Sequence, residues 1–224
     1  MTAGLRAGLP PLPDRMRRLP LDGRGYPIPF FVDYVDGVPD FRVMDGRKLA
    51  RAIKEKLCWL CGQPLARIAG RRPESGTFVI GPMCALNRTT AEPPCHRECA
   101  LFGVQACPFL TRPHAARRTA NMPEGWVPAS GEMLLRNPGV SLVWVTRSWE
   151  WYPVDNGVLC EVGPPSEALW FAEGRTATRD EIERSIETGL PLLLADPPDD
   201  PKEREEGLAF IAERLSEVRA LMPA

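Results

Sequence analysis

Cys58-Trp59-Leu60-Cys61-Gly62 and, further along, Cys95-His96-Arg97-Glu98-Cys99 carry the strongest chemical signal of the chain. Two thiols three residues apart converge on one metal ion when the backbone turns between them, and Gly62 permits the positive φ such a turn needs. His96 and Cys99 stand at i and i+3, a spacing that puts both side chains on one face of a helical first turn. Soft ligands in short pairs are what a tetrahedral zinc site requires. The spacing therefore points to Zn2+ held by Cys58, Cys61, His96 and Cys99. Cys84, Cys95 and Cys107 are the alternates, with Cys95 or Cys84 in place of His96 as the nearest variant. Six of the seven cysteines and one of the two histidines fall between Cys58 and Cys107. A knuckle followed by a ligand pair at a helix N-terminus, with a hairpin between, describes a treble clef.

Other metal chemistry is less well matched. Cys84, Cys95, Cys99 and Cys107 could supply four thiolates to an iron–sulfur cluster, but their spacing follows no short ferredoxin-type pattern. A zinc deaminase wants His-x-Glu and a later Pro-Cys-x-x-Cys, and Pro94-Cys95-His96-Arg97-Glu98-Cys99 has neither. A His-Asn-His nuclease needs a histidine between the ligand pairs. Asn87-Arg88 is there, but no histidine lies between Cys61 and Cys95. With His96 on the metal, His114 alone is free to serve as a base, within a Pro/Arg-rich connector. Neither a Gly-rich phosphate loop nor a Gly-x-Ser-x-Gly element is present, so no catalytic residue is assigned. A metal-dependent nucleic-acid-processing enzyme ranks third among the functional readings.

The chain has 224 residues, 44% apolar and 25% charged, as in folded soluble proteins. Its 25 prolines, about twice the usual share, predict short elements and long connections. No apolar run reaches membrane-spanning length, and the start lacks a signal-peptide core, so a cytoplasmic protein with no membrane association is expected. Thiols there stay reduced, which favours metal over disulfides. Net charge is −1, yet residues 1–120 carry +9 and residues 121–224 carry −10. A basic, metal-containing half suggests DNA or RNA as partner. Mutual attraction of the two halves, within a chain or in a homo-oligomer, explains the asymmetry equally simply.

Working outward, residues 1–25 read as an extended arm, 26–110 as a zinc-binding domain, 111–138 as a connector and 139–224 as a small αβ domain. The expected class is α+β, with a zinc-stapled, treble-clef-like N-terminal half. Phe30–Val35 and Val38–Val43 flank Asp36-Gly37 and predict a hairpin. Asp45 caps a helix whose apolar stripe is Leu49, Ile53 and Leu57. Arg47, Arg51 and Lys54 share another face of it. With Arg112, Arg117 and Arg118 of the connector they are the candidate nucleic-acid contacts, although a charged helix face is commonly just solvated.

Phe78–Ile80 reads as a strand, residues 83–94 as irregular, and Cys95–Gln105 as a helix. Val140–Val145 and Val158–Val162 read as strands, with Arg147–Tyr152 extending the first. Ser166 is expected to cap a helix ending at Gly174. Thr178 and Glu181 form a capping box for a helix stopping at Gly189. The last helix spans about Pro201 to Leu221, with Leu208, Ile211, Leu215 and Val218 inward. Trp149 and Trp151 alternate on one strand face and would form a protein-binding surface if exposed.

Cys-Trp-Leu-Cys-Gly, Ile-Gly-Pro-Met-Cys-Ala-Leu-Asn-Arg, Glu-Pro-Pro-Cys-His-Arg-Glu-Cys-Ala and Ala-Cys-Pro-Phe-Leu together resemble a family of bacterial and phage proteins with no assigned activity. The likeness extends over most of the chain, including Pro138-Gly139-Val140-x-Leu142-Val143-Trp144 and the last helices. It implies a cytoplasmic, mobile-element-encoded protein and leaves the mechanism open.

Overall fold

The computed structural model describes residues 4–66, 73–113, 115–124, 126, 130–131, 136–195, 197 and 199–223. His114 and part of the basic 67–76 loop lie outside them. The class is mixed α+β.

The hairpin is present, with β1 (Val32–Val35) antiparallel to β2 (Val38–Met44). Asp45 then caps α1 (Gly46–Glu55), accepting from the Arg47 and Lys48 amides. A second sheet joins β3 (Gly76–Ile80), β5 (Ser141–Thr146), β8 (Pro165–Ala172) and β9 (Arg175–Thr176) in that order. A third joins β4 (Thr89–Thr90), β7 (Gly157–Val162) and β6 (Trp149–Val154). The remaining helices are α2 (Pro82–Asn87), α3 (Arg97–Ala106), α4 (Arg179–Leu193) and α5 (Pro201–Ala220).

The four-stranded sheet organises the molecule because both of its faces are apolar. Successive strand residues point to opposite faces. Phe78, Ile80, Leu142, Trp144, Trp170 and Ala172 enter one cluster with Ile182, Ile186 and Val218 of α4 and α5. Val79, Val143, Leu169 and Phe171 join the other, built on Leu57, Trp59, Phe102 and the metal-site cysteines. β3, from before the connector, pairs with β5, from after it, from Gly76↔Thr146 to Ile80↔Leu142. Residues 111–138 therefore do not divide the chain into two separate sheets.

Several expectations are corrected. Residues 4–25 are no free arm: Met16 is buried, Leu9, Leu12 and Leu19 pack on the cysteine-containing cluster, and Arg15 reaches Glu98 at 2.9 Å. Residues 83–94 contain α2 and β4, and α2 is started by Pro82 at its first position. Arg147–Tyr152 does not extend β5. Trp149–Val154 is its own strand, turned by Asp155-Asn156 onto β7.

Ser166–Phe171 is a strand, not a helix, paired with β5 from Ser141↔Phe171 to Thr146↔Pro165. Leu169 and Phe171 serve one cluster while Trp170 and Ala172 serve the other, which only an extended chain achieves. The capping box is formed, with Thr178 and Glu181 bonding reciprocally. Side-chain bonds from Arg175, then the Thr178 amide, pull the Glu181 carboxyl down to about 2. Gly189 does not end α4. It lies against Met83 of α2, where a Cβ would come within 3.0 Å of the sulfur, so its smallness serves helix approach. In α5 Ile211, Leu215 and Val218 face the core, but Leu208 is 50% exposed and sits outside that stripe.

Candidate metal centre

α1 ends in a left-handed residue, Lys56 (φ 55°), which swings the chain into the knuckle. There Cys58 N–H donates to the Gln63 carbonyl and Gly62 N–H to the Cys58 carbonyl, each at 2.8 Å. Leu57 bridges Pro64, closing the turn. Gly62 adopts φ +71°, and a Cβ there would lie 2.7 Å from the Phe30 ring, so two independent constraints exclude larger residues. Trp59 beneath the turn is buried and stacks on Phe31 at 5.2 Å.

The second ligand pair arrives on α3. That helix begins later than the sequence reading places it. Cys95 is extended, exchanging backbone bonds with Thr77 at 3.2 and 2.6 Å, and His96 is the N-cap. Trp59 N–H donates to the Pro94 carbonyl at 3.1 Å, fastening the knuckle to the approach of α3. Cys58, Cys61, His96 and Cys99 come together, all buried, with their ligand atoms within 4.8 Å of one another. Tetrahedral coordination with metal–sulfur bonds of about 2.3 Å puts sulfurs roughly 3.8 Å apart. The four donors thus fit a single metal ion, and the seven thiols form no disulfide.

The imidazole is oriented for this task. His96 Nδ1 lies 3.4 Å from Cys61 Sγ, while Nε2 is 3.0 Å from the Pro64 carbonyl. Donation from Nε2–H to that carbonyl leaves Nδ1 with its lone pair toward the thiols, the tautomer a ligand needs. The His96 and Cys61 amides donate to Cys58 Sγ at 3.3 and 3.5 Å.

Electrostatics point the same way. Burial opposes ionisation of Cys58, yet bonds from Cys61, Cys95, Cys99 and His96 hold its thiol far below the ordinary range. Cys99 is driven the other way, first by contact with Cys58, then with Cys61, then by burial. Burial works against charging His96, but its contacts with Cys58 and Cys61 push it up to about 10. The pocket therefore favours an anion at Cys58 and disfavours a second at Cys99 unless a cation is present. A metal ion held by the four donors would supply that charge.

The alternates lie outside this set. Burial pushes Cys84 up to about 11, and it packs against the core cluster between the four-stranded sheet and α4 and α5. Cys160, a fully buried member of the same cluster, is pushed up to about 12 by burial. Cys107 caps the far end of α3 and is likewise raised by burial. Cys95 is different, since it touches Cys58 without joining the ligand set. We predict that Cys95→Ser retains its metal and its far-ultraviolet circular dichroism, whereas His96→Ala loses the metal. The opposite pattern would mean an all-thiolate site.

Two supports carry no recognisable sequence signature. The Pro64 carbonyl that orients His96 is a backbone group, which any residue could supply. Arg15 clamps the site from outside by bonding Glu98 on α3 at 2.9 Å and Gln63 in the knuckle at 3.4 Å.

Of the candidate nucleic-acid contacts, Arg47, Arg51 and Lys54 are exposed on α1, opposite the buried Ala52. Arg51 is paired with Glu55 at 3.2 Å. Arg112, Arg117 and Arg118 are exposed, with Arg117 lying over the Phe109 ring at 4.8 Å. Arg118 is close enough to lower the Asp40 carboxyl, after the larger effect of Arg42. Arg42 in turn donates to the Ala120 carbonyl at 3.0 Å. The connector is thus held against β2, the strand that leads into α1. Trp149 and Trp151 are half-buried against the core, and Trp149 meets Phe78 edge-on at 6.0 Å. Both line a shallow cleft with Lys56, Pro93 and Pro94.

Comparison with protein-family models, with curated proteins and with solved structures finds no match. Among the described residues, no helix is long and apolar enough to cross a membrane.

Proposed function

We propose that this is a zinc-binding, cytoplasmic nucleic-acid-binding module. Zinc is the ion of choice because three thiolates and one imidazole form a closed, buried, tetrahedral set, the pattern of structural zinc sites. A knuckle feeding a ligand-bearing helix N-terminus follows the treble-clef logic, with the Thr77–Cys95 pairing in place of a full hairpin. A closed shell leaves no position for a water nucleophile, which favours a binding role over an enzymatic one.

The observation that carries the nucleic-acid reading is the placement of the basic face of α1. Arg47, Arg51 and Lys54 are exposed on a helix whose last residues are bonded into the knuckle, Leu65 N–H donating to the Lys56 carbonyl at 2.9 Å. The metal would thereby hold a row of cations rigid, with the Arg117 and Arg118 segment docked on the adjoining strand. Phosphate contacts release counterions, so affinity for a DNA duplex should fall steeply between 50 and 200 mM salt. Replacing Arg47, Arg51 and Lys54 together by Ala should lower the slope of log K against log salt by about 3. Absence of DNA and RNA association at low salt, measured by fluorescence anisotropy, defeats the proposal.

A second reading, protein interaction, rests on α5. Its N-terminal half is exposed on all sides and includes Leu208 at 50% and Phe210 at 39% exposure. A stable dimer in sedimentation, broken by Leu208→Lys, would favour it.

A further inference from the structure

We propose that Cys95 is the resolving thiol of an oxidant-sensitive metal centre: a hydroperoxide joins Cys95 to Cys58 as a disulfide and so dismantles the site. The inference rests on the metal-centre reading and adds regulation to it. Its basis is a fifth sulfur where four suffice. Cys95 is buried in the same cluster as Cys58, near enough for each to shift the other's ionisation. It is the one cysteine that meets a ligand sulfur without being a ligand.

The backbone already holds the two residues side by side. Trp59 N–H bonds the Pro94 carbonyl at 3.1 Å, and the amide of His96, the residue after Cys95, lies 3.3 Å from Cys58 Sγ. A disulfide needs Cα atoms about 4.4–6.8 Å apart, a separation typical of residues adjoining across such a backbone pair. The Cys95 side chain is buried in the cluster but outside the ligand set. The Cys95 N–H and C=O pair with Thr77, so its place in the backbone does not depend on the sulfur.

The chemistry balances with the peroxide as sole oxidant. Cys58 thiolate attacks one peroxide oxygen, the O–O bond breaks, and hydroxide leaves, giving a sulfenic acid on Cys58. The Cys95 sulfur then attacks the Cys58 sulfur, the S–OH bond breaks, and the Cys95 proton leaves with the hydroxide as water. Two electrons have passed from the two sulfurs to the peroxide. Cys61, His96 and Cys99 remain as three donors around a linked pair, and the ion is lost. A thiol-based reductant reverses the process. Rescue of Cys58 as a disulfide also guards it against irreversible oxidation to sulfinic acid.

The test uses full-length, metal-loaded protein and hydrogen peroxide, with ion release followed by a chromophoric zinc chelator and disulfides mapped by non-reducing peptide mass spectrometry. The expected result is ion release together with a Cys58–Cys95 cross-linked peptide, both undone by dithiothreitol and added zinc. In Cys95→Ser, and in Cys95→Ala should the serine variant load poorly, release should slow several-fold and Cys58 should accumulate sulfinic acid. Equal release rates in wild type and both variants overturn the proposal, as does a mapped bond confined to Cys58, Cys61 and Cys99. Protein that carries no metal even when folded and reduced instead overturns the metal-centre reading itself, and this inference with it.

Discussion

Cys58→Ser should emerge without its metal and with half of its structure loosened. Cys58 is the hub of the cluster: its sulfur accepts from the amides of Cys61 and His96, and the side chains of Cys61, Cys95, Cys99 and His96 gather around it. Structural zinc in finger peptides binds with an apparent free energy of about 10–16 kcal/mol at pH 7, and binding there is folding. That is as large as the total stability of most domains, about 5–15 kcal/mol.

The loss should be uneven. The cluster around Leu57, Trp59 and Phe102 depends on the knuckle, whereas the one around Trp144, Trp170 and Ile182 contains no ligand. Hydrogen exchange should therefore lose protection in α1, the knuckle and α3 while β5 and β8 keep theirs. Cys84→Ser, remote from the site, should behave as wild type in metal content. Full metal occupancy in Cys58→Ser, or unchanged exchange across α1 and α3, would refute this account.

That unevenness also explains what could be read from the sequence. The ligand-bearing segments are local: Cys58-x-x-Cys61-Gly62 and His96-x-x-Cys99 each fix their own turn, so spacing and residue type carry the information. The hairpin at Asp36-Gly37 and the capping box at Thr178 are local for the same reason. β8 is not. Glu167, Ala168 and Leu169 are strong helix formers, and what makes them a strand is β5, paired with them residue by residue. Its alternation was hidden because both sheet faces are apolar, and a strand buried on two sides shows no polar face.

Gly189 departs from its expected role for a similar reason. A glycine near a helix end reads as a stop, but here it is spacing for Met83, a neighbour far off in sequence. The boundary expected at 111–138 rests on prolines and a basic patch, and pairing of β3 with β5 across it is not visible in composition.

The shared sheet leads to the second large effect, at Trp144. The indole is fully buried on β5, the strand flanked by β3 and β8, opposite Phe78 on one side and Ala168 on the other. Its Nε1–H donates to the Gly163 carbonyl at 3.0 Å, at the end of β7, tying the second sheet to the third. The Arg88 guanidinium stands 4.4 Å from the ring centre, bonded to Glu217 of α5 at 2.6 Å. Arg88 Nη1 has no hydrogen-bond partner among the described residues, so the ring face is what compensates that side of a buried cation.

Trp144→Ala removes all of this at once. Emptying a buried aromatic site costs about 3–5 kcal/mol, and the orphaned Gly163 carbonyl adds about 1–3 kcal/mol. The cation–π contact, worth about 2 kcal/mol when desolvated, is lost as well. Even allowing for non-additivity, the sum approaches the whole stability of a domain. The variant should unfold below physiological temperature or fail to accumulate, with metal added or not.

Trp144→Phe keeps most of the volume and a ring under Arg88 but loses the N–H, so it should cost about 1–3 kcal/mol. Urea denaturation of the metal-loaded proteins separates the two. A Trp144→Ala variant within about 1 kcal/mol of wild type would show that the four-stranded sheet is not the common wall of the two cores. A Phe variant as unstable as the Ala one would instead assign the effect to the Gly163 bond and not to packing and the Arg88 contact.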